Sequence, residues 1–186
     1  ENALMNAARL MFGLELLNTG LMSDPVLGKA TLAVTGINTL VASRNAIPDR
    51  CEAIVDRRLT LGETPTRALA EIESVMQRER VRGTVEVGTY HIISYTGYES
   101  RGPEVYPAWL LPTDHPLLQQ SLVALERCLG RRPTVGIWAF STDGVFTMGE
   151  AGIPTLGFGP GDARLAHTAN ESIRLSDVHQ AADAYA

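Results

Sequence analysis

The chain has 186 residues, 45% hydrophobic and 20% charged, enough for one large or two small domains with real cores. Its formal charge of −5 argues against non-specific nucleic-acid binding, which needs basic patches to displace counterions. No apolar run is long enough to span a bilayer as a helix, and no charged-then-apolar leader opens the chain. Cys51 and Cys128 lie among apolar neighbours and read as buried thiols, so the expected compartment is a reducing cytoplasm. The chain begins and stops inside helical patterns, as a piece of a longer polypeptide would.

Leu4, Ala7, Ala8, Met11, Leu14 and Leu17 recur at three- and four-residue steps and predict a helix ending near Asn18-Thr19-Gly20. Thr31 to Thr39 is rich in β-branched residues and predicts a strand with a bulge at Gly36. Cys51 to Thr60 predicts a second strand, with Cys51, Ala53, Val55 and Leu59 on one face and Glu52, Asp56 and Arg58 on the other. The segment Asn45 to Asp49 between them is turn-forming. Thr64 caps a helix with Pro65 at its first position and an inner stripe of Leu69, Ile72, Val75 and Met76, ended by Gly83. Val85, Val87 and Ile92 predict a further strand. One more strand before Glu1 would complete a βαββαβ, ferredoxin-like unit.

Residues 97–113 hold prolines and glycines without periodicity and read as a connector. Asp114 and Pro116 open a helix closed by Gly130, followed by an apolar run, Thr134 to Phe140, typical of a strand buried on both faces. Ser141-Thr142-Asp143-Gly144 breaks it, and Val145 to Ala151 forms a short helix. Ile153 to Phe158 reads as another buried strand, and Ser176 caps a last helix. The expected fold is therefore α/β: a ferredoxin-like α+β domain over 1–96, a connector over 97–113, and part of an α/β domain over 114–186.

Ligand sites in open α/β sheets form beyond the carboxyl ends of strands, which singles out Ser141 to Gly144 and the long polar loop Gly159 to Asn170. His167 in that loop has the chemistry of a zinc ligand. The chain offers no His-x-x-x-His, paired cysteines or acidic cluster to complete a ligand set, so by itself a loop histidine is the simpler reading. Gly157-x-Gly159-x-Gly161 lacks the following helix that a dinucleotide loop requires. Ser141, Asp143 and His167 are the residue types of a nucleophilic triad, but Ser141 lacks the Gly-x-Ser-x-Gly elbow.

The ordered set Ser141-Thr142-Asp143-Gly144, Glu150 to Thr155, Gly157 to Gly161 and Ala166-His167-Thr168-Ala169-Asn170-Glu171-Ser172 resembles the C-terminal part of a zinc-dependent exopeptidase and deacylase family. That family includes acetylornithine deacetylase, succinyl-diaminopimelate desuccinylase and carboxypeptidase G. Asn45-Ala46-Ile47-Pro48, with Arg58 thirteen residues after Asn45, resembles its lid domain, and Glu1 to Leu4 the start of a lid helix. The resemblance implies an amide hydrolase acting on a small N-acyl amino acid or peptide through a water activated by two zinc ions, with cobalt or manganese as substitutes. It implies His167 as a metal ligand, and a homodimer formed through the lid, with no nucleic-acid or membrane partner. Asn45 and Arg58 would hold substrate, Asn as a neutral donor to an oxyanion and Arg as a fork for a carboxylate. Ser141, Thr142, Asp143 and Gly144 would line the substrate pocket, with Asp143 orienting loop amides. The general base and the other ligands are expected upstream of Glu1, leaving the chain inactive alone. The alternative is a non-catalytic dimerisation module derived from the same family.

Overall fold

A computed structural model describes every residue except Leu40, Ala42, Arg44 and Ala139. The chain divides into two units, residues 1–107 and residues 108–186. The first begins with helix α1 (Ala3–Thr19), where the Asn2 carboxamide oxygen accepts the amide hydrogens of Leu4 and Met5 and so satisfies donors that a helix start leaves unpaired. A short hairpin, β1 (Ser23–Asp24) with β2 (Gly28–Lys29), leads into β3 (Thr31–Thr39), which pairs antiparallel with β4 (Cys51–Arg58). The Asn18 side chain accepts from the Leu32 amide at 2.9 Å and ties the end of α1 to the start of β3. The register shifts between Val34 and Gly36, the predicted bulge. Along β4 burial alternates strictly, with Cys51, Ala53, Val55 and Arg57 inward.

Helix α2 (Pro65–Arg78) starts on the Thr64 hydroxyl, which accepts from the Arg67 amide at 3.2 Å. It stops before the predicted Gly83, because Arg80 takes the left-handed conformation (φ 55°) and Val81 donates back to the Met76 carbonyl at 2.8 Å. Leu14, Leu21, Ala30, Leu32, Ile72, Val75 and Met76 form one core between the two helices and the β3–β4 sheet. Burying side chains of this size contributes about 1.5–3 kcal/mol each. α1 and α2 approach closely at Gly13, where a β-carbon would lie 2.5 Å from a Val75 methyl.

Two expectations for this unit fail. Residues 84–88 form no ladder among the described residues, although Val85 packs on the core; only β5 (Thr89–Ile93) is a strand. In a ferredoxin-like order the first strand lies between β4 and this segment, and the described residues supply no strand there. The connector reading also fails over part of its length, since β6 (Glu99–Pro103) pairs with β5 around a turn at Ser94–Tyr98, with Gly97 at φ 83°.

The second unit contains α3 (Pro116–Leu129) and α4 (Leu175–Tyr185), which pack together, with Leu111, Leu122, Val145 and Ala181 buried. His115 caps α3 through Nδ1, which accepts from the Leu117 amide, rather than Asp114; Gly130 ends it at φ 68°. Arg174, not Ser176, holds the cap position of α4, without a side-chain cap bond. The turn at Val145–Glu150 is π-helical. Neither predicted buried strand is paired among the described residues (Ala139 lies outside them), and Val135, Ile137, Trp138, Phe140 and Ile153 are each more than 40% exposed. A buried strand needs flanking strands to take its backbone hydrogen bonds, and these segments have none among the described residues. Cys51 is half-buried, and burial raises its thiol pKa; Cys128 is exposed, against expectation.

Candidate functional site

In the first unit, Asn45 is exposed in a turn where the Ala46 amide donates to the Ser43 carbonyl at 3.0 Å and the Asn45 amide to the Ser43 hydroxyl at 3.3 Å. Arg58 sits on the outward face of β4, its Nε 3.7 Å from Asp56, both side chains well exposed. Such an exposed pair contributes little, roughly 0–1 kcal/mol. Arg57 differs entirely. Its Nη2 lies 2.6 Å from Glu63 and 3.1 Å from Glu71, with the Arg57 and Glu63 side chains only 8% and 1% exposed. Glu63 also accepts the Thr60 amide at 2.9 Å, and the buried Thr60 hydroxyl donates to the Gly28 carbonyl at 3.0 Å. This network fastens the β4 end to the start of α2 and to the β1–β2 hairpin. It is structural.

In the second unit, Ser141 and Asp143 are exposed, Thr142 is half-buried and Gly144 is buried. The carbonyls of Thr142 and Asp143 accept the amides of Val145 and Phe146, both at 3.0 Å, so this segment is the entry to the π-helical turn. Among the described residues the Thr142 hydroxyl accepts a loop amide, that of Gly144 at 3.3 Å. Gly144 has a steric reason, since a β-carbon there would fall 2.2 Å from the Trp109 ring.

The loop after Phe158 is built in steps. Asp162 caps the turn Ala163–Leu165 by accepting the Arg164 amide at 3.0 Å and pairs with the Arg164 guanidinium, which holds its carboxyl down at about 2. Thr168 then donates its amide (3.1 Å) and its hydroxyl (2.7 Å) to the Leu165 carbonyl. Between them His167 is exposed at φ 62°, and no hydrogen bond engages its imidazole among the described residues. Its amide donates to the Glu171 carboxylate at 3.1 Å. Beside it lies an open cavity of 430 Å³, lined by the stacked Trp138 and Phe140, Gly159 to Ala163, and Glu171 to Ile173. Sequence reasoning assigned no role to Asp162, Glu171, Trp138 or Phe140. Glu171, four residues after His167, was the legible signal.

Residues 1–84 match the family model of the peptidase dimerisation domain, M20_dimer. Over all 186 residues the chain is 37% identical to the uncharacterized protein YgeY of Escherichia coli (strain K12), covering 46% of it. It is 26% identical over 135 residues to the N-formyl-4-amino-5-aminomethyl-2-methylpyrimidine deformylase of Bacillus subtilis (strain 168), covering 71% of the chain and 31% of that protein. In fold, 84% of the chain matches 34% of the M20 family metallo-carboxypeptidase Sso-CP2 from Sulfolobus solfataricus, with a TM-score of 0.55 at 18% identity. The first unit carries the M20 peptidase dimerisation domain, and the fold resembles that of the M20 metallo-carboxypeptidase. The chain spans about half the length, 46%, of the YgeY protein.

Proposed function

We propose that this chain is the lid and the closing part of the catalytic domain of a metal-dependent amide hydrolase acting on a small N-acyl amino acid or peptide. The observation that carries it is His167, an exposed imidazole with no hydrogen bond of its own among the described residues, held at a loop end in a conformation that residues with a β-carbon seldom adopt. As one donor it fits a divalent metal, and zinc, cobalt and manganese all accept imidazole. It is one donor only. No group of three or more His, Cys, Asp or Glu that could hold a metal exists among the described residues. On this reading the remaining donors and the general base belong to the part of the longer protein outside residues 1–186. His167 would hold one such ion, and the chemistry gained when the ions are bound would be an activated water and a polarised carbonyl.

The roles left to this chain are binding and orientation. Arg58 takes a substrate carboxylate, Asn45 donates to the oxyanion, and Ser141 to Gly144 border the acyl group. Assembly is a homodimer through the first unit, whose α1 exposes Met5, Phe12 and Leu16 at 60%, 74% and 63%. No helix of the described residues is long and apolar enough to cross a membrane; the proposed compartment is the cytoplasm. A second reading, a non-catalytic dimerisation module, draws on the match of residues 1–84 to the peptidase dimerisation domain.

The test uses the full-length protein: chelator-sensitive hydrolysis of N-acyl amino acids, and bound zinc counted in wild type and His167→Ala. The hydrolase reading expects His167→Ala to lose one zinc per chain and at least 100-fold in kcat/KM, roughly 2.7 kcal/mol. Unchanged zinc content in the variant sinks the ligand assignment, and absence of any chelator-sensitive turnover favours the module.

A further inference from the structure

We infer that Glu171 is the positioning residue for His167, holding the imidazole in place through the backbone rather than through the ring; this rests on His167 being a metal ligand. Two non-glycine residues among those described have positive φ, Arg80 and His167. Arg80 needs no special hold, because a left-handed residue just past a helix end is closed by the helix's own carbonyls. His167 follows only the short turn Ala163–Leu165, and Ala166 before it is extended (φ −58°, ψ 131°), so no helix end closes it.

What holds His167 is a side chain. The Glu171 carboxylate oxygen accepts its amide hydrogen at 3.1 Å, and that amide is the one hydrogen-bond partner of the carboxylate among the described residues. The ring of contacts is completed by the Thr168 amide and hydroxyl on the Leu165 carbonyl and by the Glu171 amide on the Thr168 carbonyl at 3.2 Å. Glu171 is the sole carboxylate between Leu165 and Glu171. If the acceptor is removed, His167 is free to return to negative φ. That rotates its Cα–Cβ bond and takes the imidazole away from the direction in which the loop presents it. The second hydrogen bond of a metal histidine usually falls on its other ring nitrogen and fixes ring orientation. Here the carboxylate acts one bond earlier, on the backbone that aims the ring.

The experiment uses the full-length protein with zinc alone as the probe. Affinity is read by chelator competition, site geometry by the absorption spectrum of the cobalt(II)-substituted protein, and integrity by the melting temperature without metal. Glu171→Ala is expected to weaken zinc binding by roughly 10–100-fold and to alter the cobalt bands, with little change in melting temperature. Glu171→Gln keeps an oxygen acceptor and is expected to stay close to wild type in both. Wild-type zinc affinity in Glu171→Ala overturns the inference, and so does a Gln variant as defective as the Ala variant. Should Glu171→Ala fail to fold, Glu171→Asp, whose shorter side chain withdraws the acceptor, gives the same readout. His167→Ala separates the two layers: full zinc content there overturns the ligand reading itself, whereas loss there with none in Glu171→Ala overturns only the role of Glu171.

Discussion

Thr31 to Thr39, rich in β-branched residues, and Thr134 to Phe140, a nearly continuous apolar run, are both short segments that sequence alone assigns to strands. The first pairs with β4 along its whole length and sends Leu32 into a core whose central residues, Leu14 and Val75, are 1% exposed. The second has no ladder among the described residues, and its Val135, Ile137 and Trp138 are nearly half exposed. Every helix predicted in either unit forms, because a helix satisfies its backbone within its own segment. A strand's hydrogen bonds lie outside it, and its apolar character guarantees nothing without neighbours.

That contrast can be broken most strongly at Arg57. Arg57→Ala leaves Glu63 almost fully buried without its cation, a loss of about 3–5 kcal/mol. Both tryptophans, Trp109 and Trp138, lie in the second unit. In the chain of residues 1–186 the far-ultraviolet unfolding transition should therefore move to lower urea, while the tryptophan fluorescence transition stays put. A shared shift would show that the two units unfold as one.

The next effect is smaller and compares two glycines directly. A β-carbon at Gly13 meets a Val75 methyl in a packed core with no room to retreat, so Gly13→Ala should cost about 1–3 kcal/mol despite alanine's better helix propensity. At Gly157 the nominal clash is closer, 2.1 Å, but it is with the far end of the Trp138 ring, 42% exposed and able to swing aside. Gly157→Ala should cost well under that, and equal losses in urea titrations of the two variants would count against the difference in packing.

The smallest effect concerns Asp162. Arg164 holds its carboxyl down at about 2 from the ordinary 3.8, so whatever the pair contributes is present above the unfolded value and lost only as pH falls through the folded one. Arg164→Ala should bring the Asp162 titration, followed by carboxyl NMR, back toward 3.8 and leave behaviour near neutral pH unchanged. A midpoint that stays near 2 would show that the backbone amide of residue 164 alone sets it.

Much of the first unit was legible. The bulge at Gly36, the Thr64 cap and the β4 alternation all follow from local rules, and each is present. What escaped was long-range. The alternation along β4 puts Arg57 on the inward face, but Glu63 and Glu71 as its partners come from the folding of the α2 start against β4. The early stop of α2 at Arg80 was hidden because an arginine carries no left-handed signal, and Gly83 offered a more ordinary one. The segment 99–103 looked irregular because Gly102 and Pro103 suit a strand only at an edge, which is where β6 lies. At the candidate site, His167 and its motif were readable, but the grip of Glu171 on its backbone was not, since a carboxylate four residues away has many other things to do.

The sequence by itself determined the helices, the Thr64 cap, the strands β3 and β4 and the order of chemistry-bearing segments, because these depend on patterns within about ten residues. Only the tertiary structure decided which apolar segments become strands, which arginine is buried and which way His167 faces. Strand formation depends on neighbours distant in sequence, whereas the burial of Arg57 and the positive φ of His167 come with side-chain contacts to Glu63, Glu71 and Glu171 that no local rule singles out.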